Sequence, residues 1–225
     1  MSERQIGLPG DSEDMVLFFD TRASSYERHM QENVEDFAAF YHSMAAALPE
    51  LGESPRILDL GIGTGLELDS LFERFPKASV TGIDLSSAML DELSRKPRLW
   101  ISQVELLAGS FMEVDLGQST YDAVISSMAL HHWTPQVKLE LYQRIHDSLR
   151  PGGSFVNGDY VESEAESHRR LAEFGSSGIN ERHRLHIDLP LSPKQESELL
   201  ARAGYLGIRT PFVRTNVCVF AASTG

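Results

Sequence analysis

The chain of 225 residues has a single cysteine, Cys218. No internal disulfide can form, which excludes the small cross-linked scaffolds of secreted proteins. Long apolar runs are missing as well, since none approaches the ~20 residues needed to span a bilayer. The opening stretch MSERQIGLPGDSED is polar and acidic and lacks the apolar centre of a secretory signal, so the expected location is the cytoplasm. Bases are in short supply, 20 Lys and Arg against 33 Asp and Glu, for a formal net charge of -13. No Lys/Arg cluster relieves that charge, so nucleic acid and anionic membrane surfaces are disfavoured partners. Internal repeats and low-complexity tracts are absent too. Cys218 itself lies in an apolar run over residues 217–220 and reads as a buried, inert thiol.

What is there suits one domain, since 41% of the residues are hydrophobic, enough for a sizeable core. Residues 1–14 carry few apolar side chains and are expected to be disordered. Residues 15–50 read as a helical lid. Val16, Phe18 and Phe19 lead into Tyr26 and Met30, and Val34, Phe37, Phe40, Tyr41, Met44 and Leu48 recur at three- and four-residue steps as one helix face. From residue 51 to 225 strands and helices alternate. Strands are predicted over 56–60, 79–83, 104–108 and 121–126, with a fifth opening at Ser154 after the turn Arg150-Pro151-Gly152-Gly153. Helices are predicted over 66–75, after Ser86, from Thr134 and Pro135 to Leu149, and from Ser192. Such alternation implies a parallel sheet with helices on both faces. The last two strands, 208–213 and 217–221, are joined so tightly that they favour an antiparallel hairpin. The expected fold is therefore α/β, a Rossmann-like three-layer sandwich with a mostly parallel seven-stranded sheet and an antiparallel final strand.

The strongest chemical signal is the run Leu58-Asp59-Leu60-Gly61-Ile62-Gly63-Thr64-Gly65, between a strand and a helix. Glycines there let a ligand approach the backbone, and free N–H groups point into the crevice at the strand ends. A plain tight turn is the alternative. Asp84 ends the second strand about twenty residues on, where a carboxylate can accept both hydroxyls of a ribose; the alternative is an acid at a helix start beside Ser86. Together they indicate an adenosine-containing ligand and do not separate S-adenosylmethionine (SAM) from NAD. Three details do. The glycines fall as G-x-G-x-G, Asp59 occupies a position that dinucleotide sites usually keep apolar, and a terminal hairpin is atypical of a dehydrogenase.

On LDLGIGTG, VTGIDLS, YDAVISSMALHHW, LRPGG and the closing strand pair, the sequence resembles the class I SAM-dependent methyltransferases. The resemblance implies that Asp59 and the backbone of Gly61, Gly63 and Gly65 hold the amino acid end of SAM. It also implies that Asp84 binds the ribose and Leu85 packs on adenine. Ser110 and Phe111 fall where the family often has an acid followed by an aromatic residue at the adenine, so Ser110 stands in for that acid. Ser126, Ser127 and Met128 are implied to line the methyl-donor side, and Tyr26 to close over SAM as part of an N-terminal lid. His131 and His132 are the catalytic candidates, either as a general base or as hydrogen-bonded structural residues at the mouth of the site.

The stretch 159–191 is where the family holds acceptor-recognising insertions. Its His168, Arg169, Arg170, Arg182, His183, Arg184 and His186 read either as an anion pocket or as solvated residues offset by Glu162, Glu164 and Glu166. They do not form a metal set, because no cysteine or compact acid triad joins them, and no metal is expected. The expected activity is in-line methyl transfer to a small-molecule acceptor, with S-adenosylhomocysteine (SAH) as product. The sulfonium already activates the methyl, so the chemistry asks mostly for positioning and a dry site. The competing readings are a non-catalytic SAM-binding regulatory protein, an NAD-dependent oxidoreductase, and a SAM-modifying enzyme of the carboxy-SAM synthase type. A homodimer is left open.

Overall fold

A computed structural model describes residues 13–180 and 184–225. Most of the expected stretch 1–14 thus lies outside the described residues, but Glu13 and Asp14 are within them. The Asp14 side chain accepts from Leu17 N (3.1 Å) and caps α1 (Met15–Arg22). A single 3-10 turn leads to α2 (Tyr26–Asn33), and α3 (Phe37–Ala47) follows. The backbone also clasps a distant loop. Met15 N donates to Arg184 O (2.7 Å) and His186 N to Glu13 O (2.8 Å), forming an antiparallel bridge of Asp14 with Leu185.

The alternating elements are β1 (Arg56–Leu60), α4 (Leu68–Arg74), β2 (Ser79–Asp84), α5 (Ser87–Ser94), β3 (Val104–Ala108), β4 (Tyr121–Ser127), α6 (Pro135–Ser148), β5 (Leu149–Tyr160), α7 (Glu164–Ser176), α8 (Pro193–Arg202), β6 (Leu206–Val213) and β7 (Val217–Ser223). They build one seven-stranded sheet in the order β3-β2-β1-β4-β5-β7-β6, and β7 is antiparallel to both neighbours. The expected Rossmann-like α/β sheet with its antiparallel last strand is thus the fold. Strand order reverses between β1 and β4, and at such a switch point the C-terminal strand ends leave a crevice.

Residue alternation sorts the core into two layers. Ile57, Val80, Ile125, Val156 and Val219 face Phe40, Met44, Leu68 and Leu71 of α3 and α4. Leu58, Leu60, Val124, Phe155 and Phe220 face Leu141, Ile145, Leu199 and Leu200 of α6 and α8. Burial makes these strands read as nearly continuous apolar runs. Asp59 follows the parity of Ile57, so its carboxyl lies on the α3/α4 side.

The fifth strand differs from expectation. It begins at Leu149 rather than Ser154 because the Arg150–Gly153 turn is a bulge inside it. Tyr121 pairs with Leu149 and Ala123 with Ser154, with the residues between looped out and Gly152 at φ +74°. It also runs on through Tyr160, so Asp159 and Tyr160 belong to the sheet and not to an insertion.

Cys218 is fully buried, and burial pushes its thiol up to about 12, which leaves it protonated and inert. Between α6 and α8, Lys138 Nζ meets Glu196 Oε2 at 2.5 Å and Tyr142 donates to the other oxygen of Glu196, all in the interior.

Candidate functional site

The glycine turn after β1 is held by β2. Gly61 N donates to Ile83 O (2.8 Å) and Gly63 N to Asp84 Oδ2 (2.7 Å). Gly61, Gly63 and Gly65 all adopt positive φ, and a Cβ on Gly61 would come within 2.4 Å of the Ala129 Cβ. Glycine is therefore required there by both backbone and space.

Asp84 takes the helix-start position beside Ser86 that the sequence offered as the alternative, and it also braces the glycine turn. Its Oδ1 accepts from Ser86 N (2.8 Å) at the start of α5 while Oδ2 holds Gly63. A carboxylate offers about four lone-pair positions, so two remain for a ligand. Burial pushes its pKa up to about 6, against the opposing pull of the Ser86 and Gly63 N–H groups.

Beneath the turn lies an acid pair. Asp59 is fully buried, and neither carboxyl oxygen has a hydrogen-bond partner. Glu67, also buried, accepts from Ser127 Oγ through Oε2 (2.6 Å) and leaves Oε1 unpartnered. Burial raises both acids, and repulsion from Glu67 pushes Asp59 far above the usual carboxylate range, while the contacts of Glu67 with Ser127 and Asp59 oppose its rise. The Tyr41 hydroxyl, near enough to Glu67 to be raised by its charge, is also unpartnered. A cluster of unsatisfied buried acceptors of this kind is costly without a ligand.

The cleft above is bounded by Tyr26, Phe19, Leu85, Phe111, Met128 and His132. The Tyr26 hydroxyl is pushed up by burial and by nearby Tyr160 and Asp84. Ser110 and Leu85 line an adjoining hollow with Met112 and Arg184. Ser126 is turned away: its hydroxyl donates to Leu60 O (2.7 Å) within the sheet. Met128 holds φ +51°, a strained conformation for a residue with a side chain, and donates its N–H to Gly158 O (2.8 Å).

Helix α1 is tethered to this site. Asp20 Oδ1 accepts from Ser86 Oγ (2.5 Å). Helix α2 is tethered through Lys96, whose ammonium meets Glu27 and the carbonyl of Thr64 in the glycine turn.

On the far side of Met128, His131 Nδ1 lies 2.7 Å from Asp159 Oδ1. Burial opposes the charge on His131, but Asp159 and Asp188 outweigh it and raise the ring to about 9. His132 is lowered by burial and by His131, and His186 is lowered by burial to about 3. His186 stacks on Phe18 (3.5 Å, 10°).

The other bases of the 159–191 stretch do not form an open anion pocket among the described residues. Arg169 pairs with Glu166 and Glu173, Arg170 with Glu162, and Arg184 with Glu113. Arg182 and His183 lie outside the described residues.

Sequence reasoning missed Glu67, Tyr41, Asp20 and Asp188. None carried a signal that set it apart: Glu67, eight residues after Asp59, is indistinguishable on the sequence from a polar helix face. Asp188 reaches the cleft through a loop with no periodic pattern.

Residues 57–153 match the family described as "Methyltransferase domain". Over 185 residues the chain is 26% identical to the carboxy-S-adenosyl-L-methionine synthase of Nautilia profundicola, covering 76% of this chain and 78% of that protein. Over 132 residues it is 34% identical to the trans-aconitate 2-methyltransferase of Deinococcus radiodurans, covering 57% of this chain and 46% of the other, less than half of that relative. Among solved structures, the DhpI–SAH complex superposes with a TM-score of 0.72 at 19% identity, covering 97% of this chain and 98% of that one.

Proposed function

Because the chain belongs to the class I SAM-dependent methyltransferases, we propose that its acid-lined cleft seats SAM across the β1/β4 switch point and passes the methyl in line to a small-molecule acceptor beside His131 and His132. The observation that carries this reading is the group of buried, unpartnered acid oxygens of Asp59 and Glu67 directly beneath a bare glycine turn. SAM brings a sulfonium and an α-ammonium. An ammonium placed over the pair would satisfy those oxygens and offset the repulsion from Glu67 that raises Asp59.

In this reading the backbone of Gly61, Gly63 and Gly65 faces the amino acid end, and Tyr26 closes over it. The two free lone-pair positions of Asp84 accept the ribose hydroxyls. Leu85 and Phe111 enclose the adenine, with Ser110 at its edge. Ser127 acts through Glu67 and Met128 bounds the methyl side, while Ser126 acts only by holding β4 to β1. His131 and His132 border the acceptor, and His132, whose pKa burial and His131 hold below the ordinary imidazole value, receives the proton of a hydroxyl. Transfer forms a bond from the acceptor to carbon as the C–S bond breaks, and its electron pair stays on sulfur. Positive charge disperses, so exclusion of water by α1 and α2 favours the step.

Carboxy-SAM synthase is the competing chemistry, since its alignment is longer. A carboxylate added beside the sulfonium would call for a counter-cation, and no Lys or Arg lies among the described residues lining the cleft around Met128. Methyl transfer is therefore favoured. Calorimetry with SAM and SAH, followed by incubation with panels of carboxylic acids, phenols and amines, tests the reading. SAH formed together with a methylated acceptor supports it. A carboxylated nucleoside in the mass spectrum favours the synthase, binding without turnover leaves a SAM reader, and no binding of either ligand defeats the proposal.

A further inference from the structure

Three imidazoles converge on one carboxylate oxygen at the acceptor side of the cleft. His131 Nε2 is 3.5 Å, His132 Nδ1 3.3 Å and His186 Nε2 3.9 Å from Asp188 Oδ1. That oxygen is buried and has no hydrogen bond, and the second ring nitrogen of His132, Nε2, is buried without a partner as well. The three rings thus gather around this one oxygen at 3.3–3.9 Å.

The spacing suits a metal ion. Four ligands ~2.1 Å from a tetrahedral zinc lie about 3.4 Å apart along each edge, close to the distances from Asp188 to His131 and His132. His131, His132 and Asp188 each offer a ligand atom within 4.8 Å of the others. Support around them has the form that metal sites use. His131 gives its other nitrogen to Asp159 (2.7 Å), which fixes the tautomer that leaves Nε2 free. The Ile187 carbonyl lies 3.1 Å from His132 Nδ1, the nitrogen that also faces Asp188, so an ion held by that atom would displace this contact. His186 is fixed by stacking on Phe18, and Leu189 N donates to His131 O (2.7 Å), pinning the loop that carries Asp188. The side chain of Asp188 remains 36% exposed, which leaves a path for an ion and an open position.

We propose that His131, His132 and Asp188, with His186 beside them, form a binding site for a divalent transition-metal ion of the zinc type. Metal binding stands without the methyltransferase reading; its use rests on it. An ion here would take an oxygen-bearing acceptor by its lone pair and lower the pKa of its hydroxyl. The hydroxyl proton passes to solvent, the new C–O bond forms, and the C–S electron pair remains on sulfur. The histidines scattered at 131, 132 and 186 gave no metal spacing in the sequence; the set exists only because the 184–189 loop folds back over β4.

The test uses the untagged full chain stripped with chelator and titrated with Co2+ and then Zn2+. The expected result is uptake of about one Co2+ per chain with the visible absorption of a four- or five-coordinate ion, discharged by Zn2+. Asp188→Ala and His132→Ala, each checked for SAM binding by calorimetry, should bind Co2+ at least tenfold more weakly. The inference is overturned if the stripped protein shows no such spectrum, or if a variant that still binds SAM takes up Co2+ as tightly as the parent. Cobalt uptake without SAM binding would uphold the metal site and defeat the methyltransferase reading, so the two failures are distinct.

Discussion

Asp84 holds the glycine turn and the start of α5 before any ligand arrives, and this sets a pH dependence. Its folded-state pKa is about 6, above the value of ~3.9 expected of an unfolded aspartate. The sign follows. Raised burial means the folded protein binds the proton more avidly, so this group adds stability to the unliganded protein as pH falls through 6. The ribose contact needs the ionised form. The Kd for SAM is therefore expected to be flat above pH 7 and to rise by up to about tenfold per pH unit below 6, measured by calorimetry. Asp84→Asn should bind more weakly at pH 7.5 and lose that slope; an identical slope in the variant would remove Asp84 from the site.

Gly61 is the second single-residue lever. Its φ of +74° and the 2.4 Å approach to Ala129 both oppose a side chain. Gly61→Ala should cost about 1–3 kcal/mol in urea unfolding and weaken SAM binding. Gly52→Ala, with nothing within 4 Å of the new carbon, should stay within about 0.5 kcal/mol.

At the scale of elements, helices α6 and α8 share a charged contact in their apolar interface. Lys138 is 1% and Glu196 3% exposed. Glu196→Ala strands a buried ammonium and an unpaired tyrosine hydroxyl, with an expected loss of about 3–5 kcal/mol by chemical denaturation. The joint replacement Lys138→Met with Glu196→Leu should recover most of it, since paired removal leaves no orphaned charge. Failure of the pair to recover would mean that the interface depends on the ions for shape.

The helices were readable where a cap and an apolar stripe coincide. Ser192 and Gln195 form the expected capping box of α8, and Thr134 with Pro135 opens α6. The start of β5 was not, because Arg150-Pro151-Gly152-Gly153 carries every local mark of a turn. The pairing of Leu149 with Tyr121 is a long-range event that local chemistry does not encode.

For the molecule as a whole, the order of the sheet was legible because buried parallel strands read as apolar blocks and the glycine run marks the end of β1. Asp59, the glycines and Asp84 could be located for the same reason. The partners that give them meaning could not. Glu67 joins Asp59 only through the packing of α3 and α4, and His186 and Asp188 meet His131 across 55 and 57 residues of chain. Contacts at that range are made by topology, and no short spacing announces them.

The bridge between Asp14 and Leu185 ties the first described residues to the loop over the cleft, and it is made by main-chain atoms alone. Met15 sits at the first position of α1 after a residue at ψ +134°, where proline is compatible with the helix yet removes the N–H given to Arg184. Met15→Pro should therefore keep the far-ultraviolet spectrum and speed SAH dissociation several-fold relative to Met15→Ala in stopped-flow displacement; equal rates would show that the clasp does not govern escape. A door latched by peptide groups is indifferent to side-chain identity. Residues facing the acceptor are free to drift toward new chemistry while the residence time of the nucleoside stays where the backbone set it.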